Sequence, residues 1–163
     1  MKLLLILLVL FFSGKAISQN TRTLDDVKIF NSEFIKLVNS ERKKLKLDTL
    51  IESTNLSKYS SNWNIKCVSV NKLSHSNIQD NFNSYTGEVV TVSGNNSPLE
   101  SAKAVFESFM SSQSHKDILL SPDVKYIGVS EYFGLMNVLN RKTKYTGTIC
   151  TAVLSEGKTY VKM

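Results

Sequence analysis

The two histidines, His75 and His115, offer this chain its widest choice of chemistry at neutral pH. A neutral imidazole binds metal ions or accepts a proton, whereas a protonated one stabilises the C-terminal end of a helix by up to about 1 kcal/mol. His115 lies in the stretch SSQSHKDILLSP, between a serine-rich turn and a short apolar run. From the residues alone, each histidine is therefore either a helix cap or one part of a site.

Other catalytic patterns find little support in the sequence. Ser112 and Ser114 flank His115, but no Gly-x-Ser-x-Gly motif surrounds any serine. The sequence also lacks the His-Glu-x-x-His pattern that supplies both zinc ligands and a general base in metalloproteases. From the residues alone, enzymatic activity is therefore uncertain and has little support.

Residues 1–18 have the features of a secretory signal peptide. Lys2 precedes an unbroken apolar run from Leu3 to Phe12, and the small residues Ala16 and Ser18 have the spacing of a cleavage site. The run is shorter than the roughly 20 residues of a membrane-spanning helix. We expect a secreted protein, extracellular or periplasmic, with no stable membrane anchor after the signal is removed.

Export changes the expectation for the two cysteines, Cys67 and Cys150. In an oxidising compartment paired thiols become disulfides, and two cysteines allow one pairing. We predict a Cys67–Cys150 bridge, with two separate buried thiols as the alternative.

The charge of the chain argues against nucleic-acid binding. The net charge is +6, and removal of residues 1–18 takes away two lysines and no acid, which leaves +4. The lysines cluster in ERKKLKL and NRKTKYTGT without interleaved aromatic residues, as expected of solvated faces. We therefore predict no nucleic-acid partner.

The apolar periodicity predicts helices first and strands last. Three- and four-residue spacing indicates one amphipathic helix from Leu24 and a second from about Asn55 to Asn71, in which Trp63 is interpreted as a core aromatic. Ser97 and Pro98 are typical of the start of a third helix. Strands are predicted in GEVVTVS, VKYIGVSEYF, LMNVLN and YTGTICTAVL. This order indicates one α+β domain over residues 19–163.

Four segments, in order, resemble the CAP superfamily, the SCP-like extracellular domains of cysteine-rich secretory proteins, antigen 5 and pathogenesis-related proteins. LVNSERKKLKLDTL is similar to the opening helix of the family, and LSKYSSNWNIKCVSVNKLSHS is similar to its second helix and first site histidine. GEVV is similar to the Gly-Glu-Asn strand start, and FMSSQSHKDILLSPDVKYIGVS is similar to the last-histidine segment of bacterial members.

The resemblance implies an α-β-α sandwich, with a three- to four-stranded antiparallel sheet between helical layers. It also implies a cleft shared by His75, Glu88 and His115, with Ser112 at a position where animal members often carry a second glutamate. The chain departs from the family at Val89, which replaces the asparagine of Gly-Glu-Asn, and at Phe109, which replaces a tryptophan.

By this resemblance the protein is a secreted binding module. His75 and His115, with Glu88 nearby, would bind Zn²⁺ or another divalent cation, or the cleft would take a lipid, sterol, peptide or cell-wall component. Two alternatives stay open, a metal-dependent extracellular hydrolase and a structural or host-interaction protein with a vestigial cleft.

Overall fold

A computed structural model describes residues 21–78, 86–93, 97–139 and 143–157. The predicted signal peptide lies outside these ranges. Within them, no helix combines the length and apolar character needed to cross a membrane.

The helices begin where local capping residues place them. Helix α1 spans Leu24–Lys44 and starts with a capping box between Thr23 and Asp26. Helix α2 spans Thr54–Ser69 behind the N-cap Ser53. Helix α3 spans Pro98–Met110 with Ser97 as its N-cap, as predicted, and α4 spans Gln113–Leu119. The predicted third helix is therefore two helices, which are separated by Ser111 and Ser112.

The strands form a mixed sheet of four in the order β1-β3-β4-β2. Strand β1 covers Ile51–Glu52, β2 covers Thr86–Ser93, β3 covers Tyr126–Met136 and β4 covers Tyr145–Ser155. Strands β2, β4 and β3 pair antiparallel, whereas the two-residue β1 adds to β3 in parallel. The predicted strands VKYIGVSEYF and LMNVLN are one continuous β3 as far as Met136, and residues 137–139 lie beyond its end.

Helices cover both faces of this sheet. One face packs against α1 and α3, around a cluster that includes Phe30, Phe34 and Phe109. The other face packs against α2, in clusters that include Leu56 and Cys67. The predicted α+β sandwich is confirmed, with one short parallel strand added to the antiparallel sheet.

The predicted disulfide is not formed, because Cys67 and Cys150 are both free and buried. Cys67 lies on α2 and packs with Ile149, whereas Cys150 packs with α1 and α3 on the opposite face. Consecutive residues of a strand point to opposite faces, so the sheet separates the two thiols. The structure corrects this prediction in favour of two separate buried thiols, and burial raises the pKa of each.

The prediction that the basic run ERKKLKL forms a solvated face is wrong at Arg42. The Arg42 side chain is fully buried near the end of α1. Its guanidinium donates to four backbone carbonyls, those of Asp48, Leu119, Ser121 and Val124. One buried cation thus joins the end of α1 to the turn after α4.

A buried ion pair fastens the start of the described chain to the sheet. Arg22 Nε lies 2.9 Å from Glu131 Oε1 on β3, and the Arg22 guanidinium stacks over the ring of Phe133. Thr148 donates from its hydroxyl to Glu131 Oε2. Burial nevertheless outweighs the attraction of Arg22 and raises the pKa of Glu131 to about 7.

This shift predicts a pH-dependent stability. The folded pKa of Glu131 lies above the ordinary value of 4.5, so the folded state retains a proton that the unfolded state releases between these two values. Protonation of Glu131 therefore contributes its full stabilisation below pH 4.5, and this contribution is lost as the pH rises to about 7. The free energy of unfolding falls by about 3 kcal/mol at most over this range. Urea denaturation at pH 5 and pH 8 measures this loss.

The matched variant is Glu131→Gln, which keeps the shape of the protonated side chain and cannot ionise. We expect the difference in unfolding free energy between the two pH values to shrink in the variant. Equal differences in wild type and variant would show that another group controls the pH dependence.

Candidate functional site

The predicted site residues come from three different elements. His75 lies in the loop that follows α2, Glu88 is the third residue of β2, and His115 is the third residue of α4. Because β2 is an edge strand of the sheet, the α2 side and the α3–α4 side of the sandwich meet next to it. The fold thus brings the two histidines together from opposite faces of the sheet, with their ring centroids 6.4 Å apart.

Glu88 is buried and orients His75. Its side chain is 3% exposed, whereas that of His75 is 60% exposed. Glu88 Oε1 lies 3.0 Å from His75 Nδ1 and accepts the backbone N–H of Ser76 at 2.8 Å. Glu88 Oε2 accepts the Ser76 hydroxyl at 2.5 Å. These contacts leave His75 Nε2 as the free nitrogen of a carboxylate-oriented ring.

One stripe of α2 holds the loop that carries His75. Tyr59 donates from its hydroxyl to Ser76 Oγ at 2.8 Å, and Trp63 Nε1 donates to the carbonyl of Ser74 at 2.7 Å. Cys67, one turn further along, points its sulfur at the same carbonyl. These residues are four apart, so they share one face of the helix. The interpretation of Trp63 as only a core aromatic is corrected, since it is half-buried and anchors this loop.

His115 lies between an apolar and a polar neighbour. Its ring packs edge-to-face with Phe109, at a centroid distance of 5.3 Å and an interplanar angle of 74°. The ring of His75 is its other aromatic neighbour. Burial, and secondarily the nearby His75, lowers the pKa of His115. The ring is therefore neutral at pH 7, with a lone pair available to a ligand.

The helix-cap alternative is wrong for both histidines. His115 stands in the first turn of α4, where the helix dipole disfavours a cation. His75 lies six residues past the last residue of α2, outside the final turn. Neither ring occupies the C-terminal position that a protonated cap requires.

Ser112 has a different role from the histidines in the observed contacts. It is the N-cap residue of α4, its hydroxyl makes no capping hydrogen bond, and its partner is Ser114 Oγ at 3.2 Å. A part for Ser112 in the cleft stays a prediction.

Ser76 and Tyr59 were missed by sequence reasoning. On α2, a half-buried tyrosine with a hydrogen-bonding hydroxyl has the same periodicity as a core residue, so Tyr59 had no separate signal in the sequence. The signal for Ser76 was its position directly after His75, which gives its backbone N–H and its hydroxyl a chance to reach the same carboxylate.

In the described part of the chain, no three or more His, Cys, Asp or Glu side chains are grouped so that they could hold a metal ion. Of the predicted metal ligands, the structure brings the two imidazoles near each other, and Glu88 contacts His75. Catalytic zinc sites use three protein ligands. The arrangement can present two imidazole nitrogens, and both Glu88 oxygens are already occupied by donors.

Taken together, an α-β-α sandwich with a histidine pair at the sheet edge defines the class of this protein. The model of the cysteine-rich secretory protein family, CAP, matches residues 35–134, and the chain belongs to this family. No curated protein matches the chain.

Solved structures share the fold. An outer surface protein from Borrelia burgdorferi is 21% identical with a TM-score of 0.64, and the match covers 85% of this chain and 98% of that one. A cysteine-rich secretory protein from Staphylococcus aureus is 15% identical with a TM-score of 0.55, covering 85% of this chain and 42% of that one.

An extracellular protein with an SCP domain from Bacillus anthracis is 14% identical with a TM-score of 0.60, and the match covers 80% of this chain and 41% of that one. The chain thus spans less than half of the staphylococcal and Bacillus proteins. At these identities the likenesses show the fold alone.

Proposed function

We propose that the protein is an exported CAP-domain binding module whose histidine pair binds a divalent cation, with Zn²⁺ as the first candidate. The observation that carries the proposal is the geometry of the pair. Two imidazoles from opposite faces of the sheet stand 6.4 Å apart, and a buried carboxylate holds one of them by its Nδ1.

The donor set suits a borderline ion held weakly. Imidazole nitrogen is a preferred ligand of zinc and copper. His75 Nε2 and one nitrogen of His115 would hold the ion, and the remaining positions would be open to water or to a polar group of a ligand. A bound cation would supply positive charge that attracts anionic or carbonyl oxygen atoms at the mouth of the cleft.

Export is part of the same proposal. The N-terminal stretch has the pattern of a signal peptide, and the similar structures are described as outer surface or extracellular proteins. The organic ligand would be a lipid, sterol, peptide or cell-wall component.

A groove of about 340 Å³ lies between α1 and α3 and is separate from the candidate site. None of the predicted site residues lines it; its lining residues are Lys28, Ile29, Ser32, Glu33 and Leu99.

The test is calorimetric zinc titration of residues 19–163 at pH 7.5, beside the His115→Ala and His75→Ala/His115→Ala variants. We expect His115→Ala to weaken binding by at least about tenfold, because it removes one of two ligands, and the double variant to abolish it. Ser114→Ala is the control, since Ser114 is an exposed residue next to His115. Acidification should weaken binding, because a protonated imidazole has no lone pair to give to the ion.

Thermal unfolding of the same variants separates a ligand role from a structural one. A binding residue loses zinc affinity with little change in the unfolding midpoint. Unchanged affinity together with a lowered midpoint would contradict the proposal. A wild-type chain that binds no zinc would favour the structural or host-interaction alternative, and turnover that a chelator abolishes would favour the hydrolase.

A further inference from the structure

We propose that Ser76, held in place by Tyr59, is a positioning residue that fixes the tautomer of His75 and so determines which ring nitrogen faces a ligand. The proposal rests on the proposed function only for its consequence on metal affinity. The hydrogen-bond chain itself is a property of the protein without any ligand.

The chain of donors runs in one direction. The Tyr59 hydroxyl donates to Ser76 Oγ, and the Ser76 hydroxyl donates to Glu88 Oε2. A second donor from Ser76, its backbone N–H, reaches Oε1 of the same carboxylate. Ser76 therefore clamps both oxygens of Glu88, and Tyr59 directs the Ser76 proton away from itself and toward the carboxylate.

This clamp sets the proton position on His75. Both oxygens of Glu88 accept hydrogen bonds from Ser76, so Oε1 is also the acceptor in its contact with His75, and the proton of that contact lies on Nδ1. In a neutral ring the other nitrogen, Nε2, then carries the lone pair. The His75 side chain is 60% exposed, and its contact with the buried Glu88 orients the ring.

Burial makes the clamp necessary. The Glu88 side chain is 3% exposed, and a buried carboxylate needs its lone pairs satisfied by donors. Without the Ser76 hydroxyl, Oε2 would lose its 2.5 Å donor. The carboxylate would then rotate toward other donors, and the contact with Nδ1 would no longer be held at one geometry.

The experiment reads the tautomer directly from the imidazole ¹⁵N chemical shifts of histidine-labelled protein at pH 8. The chain has two histidines, so the spectrum of His115→Ala assigns them. In the wild type we expect the His75 signals of a protonated Nδ1 and an unprotonated Nε2. In Ser76→Ala we expect a mixture of the two tautomers, and in Tyr59→Phe a smaller shift in the same direction.

Two further variants control for structural effects. Ser74→Ala makes the same chemical change two residues away, where the loop uses the Ser74 carbonyl in its contacts with α2, and it should keep the wild-type tautomer. Ser76→Thr keeps the hydroxyl and should restore the wild-type spectrum. If Ser76→Ala fails to fold, the nearly isosteric Tyr59→Phe decides. A wild-type tautomer ratio in a folded Ser76→Ala, or in Tyr59→Phe if Ser76→Ala does not fold, would overturn the proposal.

Zinc titration of the same proteins tests the consequence. Loss of a hydrogen-bond partner behind a metal-binding histidine typically costs 10- to 100-fold in metal affinity, so we expect at least about a tenfold loss in Ser76→Ala. If the wild type binds no zinc, the proposed function fails while the tautomer result still decides the role of Ser76. If zinc binds equally well to wild type and Ser76→Ala, the positioning role fails and the metal site stands.

Discussion

Replacement of Gly128 by alanine should lower the free energy of unfolding by about 3 kcal/mol or more. A Cβ at this position would overlap the backbone of Leu56 and Ser57, where the first turn of α2 crosses β3. Backbone atoms cannot turn away as the end of a side chain can, so α2 has to move off the sheet. Such overpacking typically costs about 1–3 kcal/mol and occasionally more, and we expect the upper end here because the overlap is with backbone atoms.

Movement of α2 would also break its hydrogen bonds to β3 next to Gly128. Ser60 donates from its hydroxyl to the Gly128 carbonyl at 3.2 Å, and Ser57 Oγ accepts the N–H of Val129 at 3.3 Å. Thermal unfolding should show a midpoint about 10 °C lower in the variant. The matched control is Gly87→Ala, whose Cβ would meet a side-chain methyl of Ile118 at 2.7 Å and should cost about 1 kcal/mol.

Gly128 also influences the site. The helix that it holds against the sheet carries Tyr59 and Trp63, which anchor the loop of His75. A displaced α2 should therefore weaken the proposed zinc binding, although Gly128 is not part of the candidate site. Equal stability of Gly128→Ala and Gly87→Ala would show that α2 adapts more easily than the contact distances imply.

Local sequence signals predicted the elements well because each depends on neighbouring residues. The start of α3 follows from Ser97 and Pro98, which cap and pre-organise a first turn wherever they occur. The break before His115 was harder to predict. The run SSQS contains no proline or glycine that would mark a helix end. The new helix at Gln113 depends on the extended backbone of Ser112, which the sequence does not show.

The faces of β4 could not be predicted from its sequence. Every residue from Gly147 to Ser155 is buried, because helices cover the sheet on both sides. A strand buried on both faces reads as a continuous apolar run without alternation. The sequence therefore gave no sign that Cys150 faces α1 and α3 while Cys67 lies on the other side, and the disulfide prediction failed for this reason.

The candidate site depended on resemblance for a similar reason. His75 and His115 are 40 positions apart, and Glu88 lies on a third element between them. Nothing in local periodicity brings the three together. The family pattern placed them in one cleft, and the structure brings both rings beside β2. The supporting contacts of Ser76 and Tyr59 could not be predicted, because a half-buried tyrosine follows the same helical spacing as a core residue.

The burial of Arg42 likewise could not be predicted from the sequence, and its replacement should strongly lower stability. Within ERKK nothing separates Arg42 from Lys43 and Lys44, yet Arg42 is fully buried while Lys43 is exposed. Burial lowers the pKa of its guanidinium, although arginine remains charged at any ordinary pH. Its acceptors lie in segments up to 82 positions away, so only the folded chain identifies its role.

Arg42→Met should lower the free energy of unfolding by more than about 3 kcal/mol. Methionine fills much of the volume but donates no hydrogen bond, so the carbonyls of Leu119 and Ser121, each 2.9 Å from Nη1, lose their shared donor. Each buried acceptor left without a donor costs about 1–3 kcal/mol. Urea denaturation of the variant measures the loss, and Lys43→Met, an exposed position one residue on, should stay within about 0.5 kcal/mol of wild type.

The turn that Arg42 holds follows α4 directly, and α4 carries His115. Since Leu119 is the last residue of that seven-residue helix, we expect Arg42→Met to loosen α4 and to lower both the stability and the affinity of the proposed zinc site. Arg42→Lys keeps the charge but has one nitrogen in place of a planar fork, so it should fall between methionine and wild type. Full stability of Arg42→Lys would mean that charge, and not the guanidinium fork, maintains the turn.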